Sequence, residues 1–155
     1  MIRLCSLPEC RPFIPTLAQW HQQEWAYLNP GVKSVESRIA EFESHLGDDV
    51  VPSTVVAMED GELLGSASLV EHDLSSRTDL SPWLASVFVA PDHRRRGIGG
   101  QLIRHLSDMA FAGGVETLHL YTTDRAAYYA HFGWSVAERT SHNGVAIVIM
   151  SLSAG

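Results

Sequence analysis

The sequence predicts a mixed α/β fold whose elements follow the order β, α, α, β, β, β, α, β, α, β, β. Three observations carry that prediction. Asp60-Gly61 and Asn143-Gly144 each stand between apolar runs, so the strands on either side turn back antiparallel. Val87-Phe88-Val89-Ala90 has the β-branched and aromatic content of a buried strand, and Pro91, which cannot donate to a ladder, ends it. Beyond Gly100, the residues Leu102, Ile103, Leu106, Met109 and Ala110 recur at helical spacing, which makes this part strand, short loop and helix.

Residues 2–7 read as an edge strand, followed by Pro8, Pro12 and Pro15 in a loop or irregular helix start. Leu17, Trp20, Trp25 and Leu28 form a rough helical stripe over 16–27, closed by the turn Asn29-Pro30-Gly31. Ser34 is an N-cap for a second helix to about Leu46, with Ile39, Phe42 and Leu46 on its apolar face. Thr54–Met58 and Leu63–Val70 are hairpin partners, and Gly65, Ser66, Ala67 and Ser68 leave room against one face of the second. His72–Pro82 is polar and turn-rich, a wall or lid. After the strand Trp83–Val89 and its helix, Gly113-Gly114 is a helix stop. Then come a strand over 116–121, a short helix capped by Thr123 or Asp124 to about Phe132, a strand to about Glu138 and a last strand over 145–150.

At 155 residues with 45% hydrophobic and 19% charged content, the chain reads as one ordinary globular domain, residues 1–155. No apolar run approaches the roughly 18 residues of a membrane span, and Met1-Ile2-Arg3-Leu4-Cys5 lacks the apolar core of a signal peptide. Cys5 and Cys10 therefore read as free thiols in a cytoplasmic protein. The net charge of −7 disfavours a nucleic-acid partner. None of the eight histidines has another four residues away, and the cysteines stand apart from them, so no metal is expected.

Two features of the helix after Val89 are unfavourable as structure alone. Gly97, Gly99 and Gly100 each cost about 1 kcal/mol in a helix interior, and Arg94, Arg95 and Arg96 crowd the positive end of the helix dipole. A bound anion explains both, because glycine lets amides approach it closely while the dipole and arginines neutralise it. A P-loop is excluded, since Gln101-Leu102 stands where Lys-Ser or Lys-Thr is needed, and so is a dinucleotide fingerprint, since Leu102 replaces its third glycine. A solvated basic loop is the plain structural alternative.

Arg94, Arg95-Arg96, Gly97, Ile98, Gly99, preceded by Val89-Ala90-Pro91, resembles the cofactor signature of the GNAT superfamily of N-acetyltransferases. The element order resembles theirs over most of the chain. The resemblance implies a central mixed, mostly antiparallel sheet of about seven strands flanked by about four helices. It also implies acetyl-coenzyme A as cosubstrate, without metal, and transfer of its acetyl group to a small-molecule or peptide amine by direct attack in a ternary complex. The strand matching Val87, Phe88 and Val89 would be splayed from the next, pairing with the pantetheine arm and offering an amide to the thioester carbonyl. Arg94, Arg95, Arg96, Gly97, Ile98, Gly99 and Gly100 would hold the pyrophosphate. Homodimers are common in such proteins. A non-catalytic acyl-coenzyme A sensor and a phosphate- or nucleic-acid-binding module using Arg94–Arg96 are the rival readings.

Ala126 to Trp134 resembles the second family segment, and by its register Tyr129 matches the tyrosine that protonates the departing thiolate. A phenol with a pKa near 10 suits that step; Tyr128 is the alternative donor, and both tyrosines could instead be core aromatics. Thr122-Thr123-Asp124 stands where many members have asparagine, and Ala85-Ser86 where many have glutamate, which leaves the general base unassigned. Glu24, Glu71, His72, Asp73 and His119 are its candidates, and Trp20, Trp25 and Trp83 are candidates to line the acceptor pocket.

Overall fold

The computed structural model describes residues 1–155. Strand β1 (Arg3–Ser6) leads through a 3-10 segment, Leu7–Phe13, into helix α1 (Ile14–Trp25) and then helix α2 (Val35–Glu43). Strands β2 (Ser53–Glu59), β3 (Glu62–Val70) and β4 (Trp83–Val89) follow, then helix α3 (Ile98–Ala112) and strand β5 (Thr117–Thr122). Helix α4 (Ala126–Ala130) and strands β6 (Ser135–His142) and β7 (Val145–Ser153) complete the chain. One seven-stranded sheet runs in the order β1-β2-β3-β4-β5-β7-β6. Every neighbouring pair is antiparallel except β4 and β5. The expected order, strand number and mixed, mostly antiparallel sheet are all present.

Local chemistry explains most boundaries. Both hairpins turn on two residues with positive φ: Asp60 (52°) and Gly61 (80°), Asn143 (49°) and Gly144 (79°). Ser34 caps α2 through a reciprocal capping box with Ser37. Several boundaries differ from the sequence reading; strand β7 runs three residues past Met150 to Ser153, and helix α4 stops at Ala130, short of Phe132. Helix α1 begins two residues early, because Pro15 fits its first turn instead of breaking it. Helix α2 ends at Glu43, short of Leu46. Strand β6 continues to His142, four residues past Glu138, along a polar stretch whose outer position in the sheet needs no apolar alternation.

The sheet buries different material on its two faces. Leu64, Ala67, Leu69, Leu84, Leu118 and Leu120 pack under Leu102, Ile103, Leu106 and Ala110 of α3, with Tyr128 and Tyr129 of α4 against the same core. On the other face, Val56, Met58 and Leu63 meet Leu17 and Ala18 of α1 and Phe42 of α2. Farther along that face, Val70, Trp83, Ala85 and Ile149 pack under Leu74 and Leu80. The segment 71–82 is therefore a wall: Leu74 is buried and Arg77 pairs with Asp79 and with Glu138 of β6.

Strand β4 carries a bulge that sets what each of its residues faces. Ala85 pairs with Ser68 but Phe88 with Ser66, so Ser86 and Val87 together oppose Ala67. Ser86 takes φ 57°, and the extra residue reverses the alternation beyond it. Phe88 therefore faces α1, while Val87 and Val89 face the α3 core. Beyond the bulge Gly65 pairs with Val89, and a methyl there would collide with the Phe88 carbonyl oxygen, which explains why that position is glycine.

Candidate active site

Strands β4 and β5 share a single ladder pair, Trp83 with His119. His119 is fixed there, its amide donating to the Pro82 carbonyl at 3.1 Å. Beyond this apex the two strands diverge, so the β5-facing backbone of Leu84 to Val89 is left without a ladder partner. Val87 and Val89 are half-buried, whereas the Phe88 ring is boxed in by Trp20, His21 and Trp25 at 5.6–5.9 Å. Only the backbone of Phe88 is thus free to meet a ligand in the gap.

The gap leads to the N-terminus of α3. Gly97 is the N-cap in the left-handed region (φ 78°), and no side chain caps the helix. The first intrahelical bond runs from the Gln101 amide to the Gly97 carbonyl at 3.1 Å, leaving the amides of Gly97 to Gly100 without protein acceptors. Arg95 also has positive φ (67°), so two left-handed residues curl the loop around its amides. Backbone geometry and dipole together suit this loop to an anion.

The three arginines divide their duties. The Arg94 guanidinium donates through Nε to the Val89 carbonyl at 2.8 Å, lies 5.6 Å over the Phe88 ring and reaches Glu24 at 3.5 Å. Arg96 pairs with Glu59 at 2.7 Å and contacts His93 at 3.2 Å. Arg95, exposed, makes no ion pair. The glycines divide as well. A methyl on Gly99 would lie 2.6 Å from Tyr128 Oη, and one on Gly100 would lie 2.9 Å from two Phe132 ring carbons. Both are small because Tyr128 of α4 and Phe132 of the turn after it pack directly on the α3 backbone, a reason the sequence did not show. Gly97 has open space and is set by its φ alone.

Helix α4 therefore reaches from the end of β5 to the start of α3. Tyr128 places its hydroxyl beside Gly99, under a cation–π contact from Arg125 at 5.7 Å. Tyr129 is packed against Trp134, their rings 6.4 Å apart, in the core beneath the gap. Desolvation raises both phenols above their ordinary pKa, with the neighbouring Tyr128 adding to the effect on Tyr129, so both stay protonated at neutral pH.

On the α1 side of β4, polar groups are buried together. His45 Nδ1 meets Thr54 Oγ1 at 2.9 Å, Thr54 Oγ1 meets Ser68 Oγ at 2.7 Å, and His21 Nε2 lies 3.4 Å from Ser66 Oγ. Burial, with Arg38 and Lys33 nearby, pulls His21 down to about 3, so it is neutral. These groups floor a chamber lined by Arg38 of α2, Lys33 and the bulged Ser86. Of the small residues of β3, Ser68 alone lines this chamber; Ser66 is fully buried beside His21, Ala67 packs in the α3 core and Gly65 lies against the Phe88 carbonyl.

Among the candidate bases, Glu71 and His72 are exposed, Glu24 is engaged with Arg94 and His119 is held at Pro82. Asp73 is different. Desolvation pushes its carboxyl from 3.8 up to about 6, with Lys33 opposing and Glu41 adding to the rise. Of the tryptophans, Trp20 and Trp25 stand beside Phe88 and His21, but Trp83 is fully buried at the gap's apex and lines no acceptor pocket. The sequence reading passed over Arg38, though the signal was there: a charge three residues after Val35 and four before Phe42 lies on the apolar face of α2.

Residues 14–134 match the Acetyltransferase (GNAT) family. No curated protein matches the chain in sequence. Among solved structures, the ribosomal-protein-alanine N-acetyltransferase from Brucella melitensis is 20% identical, with 99% of each chain covered and a TM-score of 0.76. The aminoglycoside 6'-acetyltransferase type Ii is 16% identical, with coverage of 99% and 96% and a TM-score of 0.73. The Salmonella typhimurium protein yncA, solved with its cofactor acetyl-CoA, is 18% identical, with coverage of 99% and 92% and a TM-score of 0.71. At these identities the likeness is one of fold, and the family match supplies the rest: the chain belongs to the GNAT family of acetyltransferases.

Proposed function

We propose that the chain is an acetyl-coenzyme A-dependent N-acetyltransferase that moves the acetyl group to a primary amine by direct attack in a ternary complex. The observation that carries this reading is the opening between β4 and β5, with its unpaired strand edge, set before the uncapped N-terminus of α3. The residues fit coenzyme A in kind. The backbone of Val87, Phe88 and Val89 offers strand-like pairing to the pantetheine amides. The amides around Arg94, Arg95, Arg96, Gly97, Ile98, Gly99 and Gly100 suit a pyrophosphate. The yncA structure contains acetyl-CoA, and that of N-acetylglutamate synthase from Neisseria gonorrhoeae contains coenzyme A and N-acetyl-glutamate, which supports the cosubstrate.

In this reading Asp73 takes a proton from the acceptor's ammonium and passes it to solvent. The free amine attacks the thioester carbon, a C–N bond forms and the C–S bond breaks. Tyr129 protonates the departing thiolate, and the second proton of the amine nitrogen replaces the one it gave. An amide of β4 facing the gap stabilises the oxygen on which charge develops. No covalent acyl carrier is needed; Cys5 and Cys10 are buried in the α1 core, and burial pushes the Cys10 thiol up to about 11. The same reading gives a cytoplasmic enzyme without metal or nucleic acid, supported by the net charge of −7. No helix of the chain is long and apolar enough to cross a membrane.

Release of coenzyme A thiol, measured with acetyl-CoA and a panel of primary amines, tests the reading. Amine-dependent release supports it; acetyl-CoA binding with no release across the panel would favour a non-catalytic sensor. The base assignment has its own test. The kcat/KM should rise with pH as Asp73 loses its proton near pH 6, and Asp73→Asn should remove that limb and lower activity by about a hundredfold. The folded state holds this proton more tightly than the unfolded one, so the group favours folding most below 3.8 and that contribution disappears as pH rises through about 6. Asp73→Asn should accordingly melt higher than the wild type at pH 7. An unchanged pH profile in the variant would remove Asp73 from the mechanism.

A further inference from the structure

Arg38 is the one buried arginine or lysine of the chain, and no ion pair answers its charge; Glu41 and Tyr121 act on it only through space. Arg38 is 6% exposed, and its Nε donates to Gln22 Oε1 at 2.8 Å, yet Nη2 has no hydrogen-bond partner. No carboxylate lies within ion-pairing distance of it, and Glu41 is engaged by Lys33 at 3.7 Å. The other groups of the chamber do not help: His21 is neutral, and His45, Thr54 and Ser68 hydrogen-bond one another, so none of them sets a negative charge against Arg38. A water on Nη2 would satisfy a hydrogen bond and leave the charge bare, which is costly in a desolvated site. A guanidinium in this state matches a carboxylate in both shape and charge.

The chamber that Arg38 lines also reaches Ser86, the bulged residue next to the β4 edge that the proposed function gives to the thioester arm. It opens to solvent and leaves only about 20 Å³ beside Arg38, room for one water or one carboxylate oxygen and not for a bulky group. Resting on the acetyl-transfer reading, we propose that the acceptor is a small amino acid or a similar amine bearing a carboxylate, with that carboxylate seated on Arg38. Its amine lies a few bonds away, toward the bulge at Ser86. Lys33, at the chamber's other wall, adds positive charge at its entrance, and Glu41 beside it gives the zwitterion's ammonium a place on approach. A polyamine, which has no carboxylate, would leave Arg38 unanswered and bring more positive charge to it.

The test compares free amino acids with their primary amides, which keep the amine and side chain but lose the anion. With acetyl-CoA saturating, the acids should be used at least a hundredfold more efficiently than the amides. Arg38→Met should raise KM for the acids by a similar factor, with a much smaller change in kcat, and erase the preference. This variant removes an unpaired buried charge and should melt no lower than the wild type. Arg38→Lys, which keeps the charge but loses the fork, should fall between the two and serves if the methionine variant does not fold. Equal use of acids and amides, or a preference that survives both substitutions, would overturn the proposal and leave acetyl transfer standing. If no amine is turned over, calorimetry of the acids with coenzyme A present decides. Binding that Arg38→Met abolishes keeps the carboxylate site while the transfer reading fails, and no binding of any acid ends the proposal.

Discussion

Replacing Tyr129 with phenylalanine is expected to lower kcat by about a hundredfold or more, while acetyl-CoA affinity stays within about threefold of the wild type. The substitution keeps the ring that packs on Trp134 and removes only the hydroxyl, so the fold should be unaffected. What disappears is the proton for the leaving thiolate. Desolvation raises this phenol above its ordinary range, so it holds its proton until a thiolate's charge develops beside it. Tyr128→Phe is the necessary companion. Its hydroxyl lies beside Gly99, at the corner of α3 proposed to take the phosphates, so its loss should weaken cofactor binding with little change in kcat. If the large kcat loss followed Tyr128 instead, the acid would be Tyr128 and the assignment by sequence register would be overturned.

Trp83→Ala should have the largest effect on stability, about 3–5 kcal/mol, and lower Tm by roughly 10 °C or more. Trp83 is 0% exposed, donates through Nε1 to the Leu80 carbonyl at 2.9 Å and packs on His119 and Tyr121 with ring separations of 5.7 and 6.3 Å. It also stands at the only pair joining β4 to β5. Its loss should therefore loosen the apex of the gap, weakening acetyl-CoA binding in the fraction that remains folded. Urea denaturation gives the first quantity and titration of the folded variant the second. A loss below about 1 kcal/mol would mean that the wall over 71–82 holds this region without the indole.

Much of the fold was legible because local chemistry and periodicity agreed. The two positive-φ hairpins, the Ser34 cap and the apolar stripe of α3 each specify their element without tertiary help. The proposed cofactor side rests on a conflict between levels: glycines at a helix start run against helix propensity, and the helix they start has no side-chain cap. Even so, Gly99 and Gly100 are also small for packing, since Tyr128 and Phe132 come from a helix some 30 residues on and only the tertiary structure brings them there. The acceptor side was largely illegible. The β4 bulge lies in a run without period, so nothing in Trp83 to Val89 shows that Phe88 lies on the same face as Trp83 and Ala85. Asp73 became a base candidate of substance only through burial by elements remote in sequence. Polar edge residues 139–142 gave no strand signal because the sheet's outer strand needs none.

Calorimetric titration of the chain with acetyl-CoA, alongside Arg95→Glu, tests the central claim most directly. Arg95 is exposed and unpaired, so reversing its charge should leave the fold intact and act only on an anion held by the α3 amides. The account predicts one site of roughly micromolar affinity in the wild type, weakened at least tenfold in the variant. No binding at millimolar acetyl-CoA, or equal binding by both proteins, would contradict it.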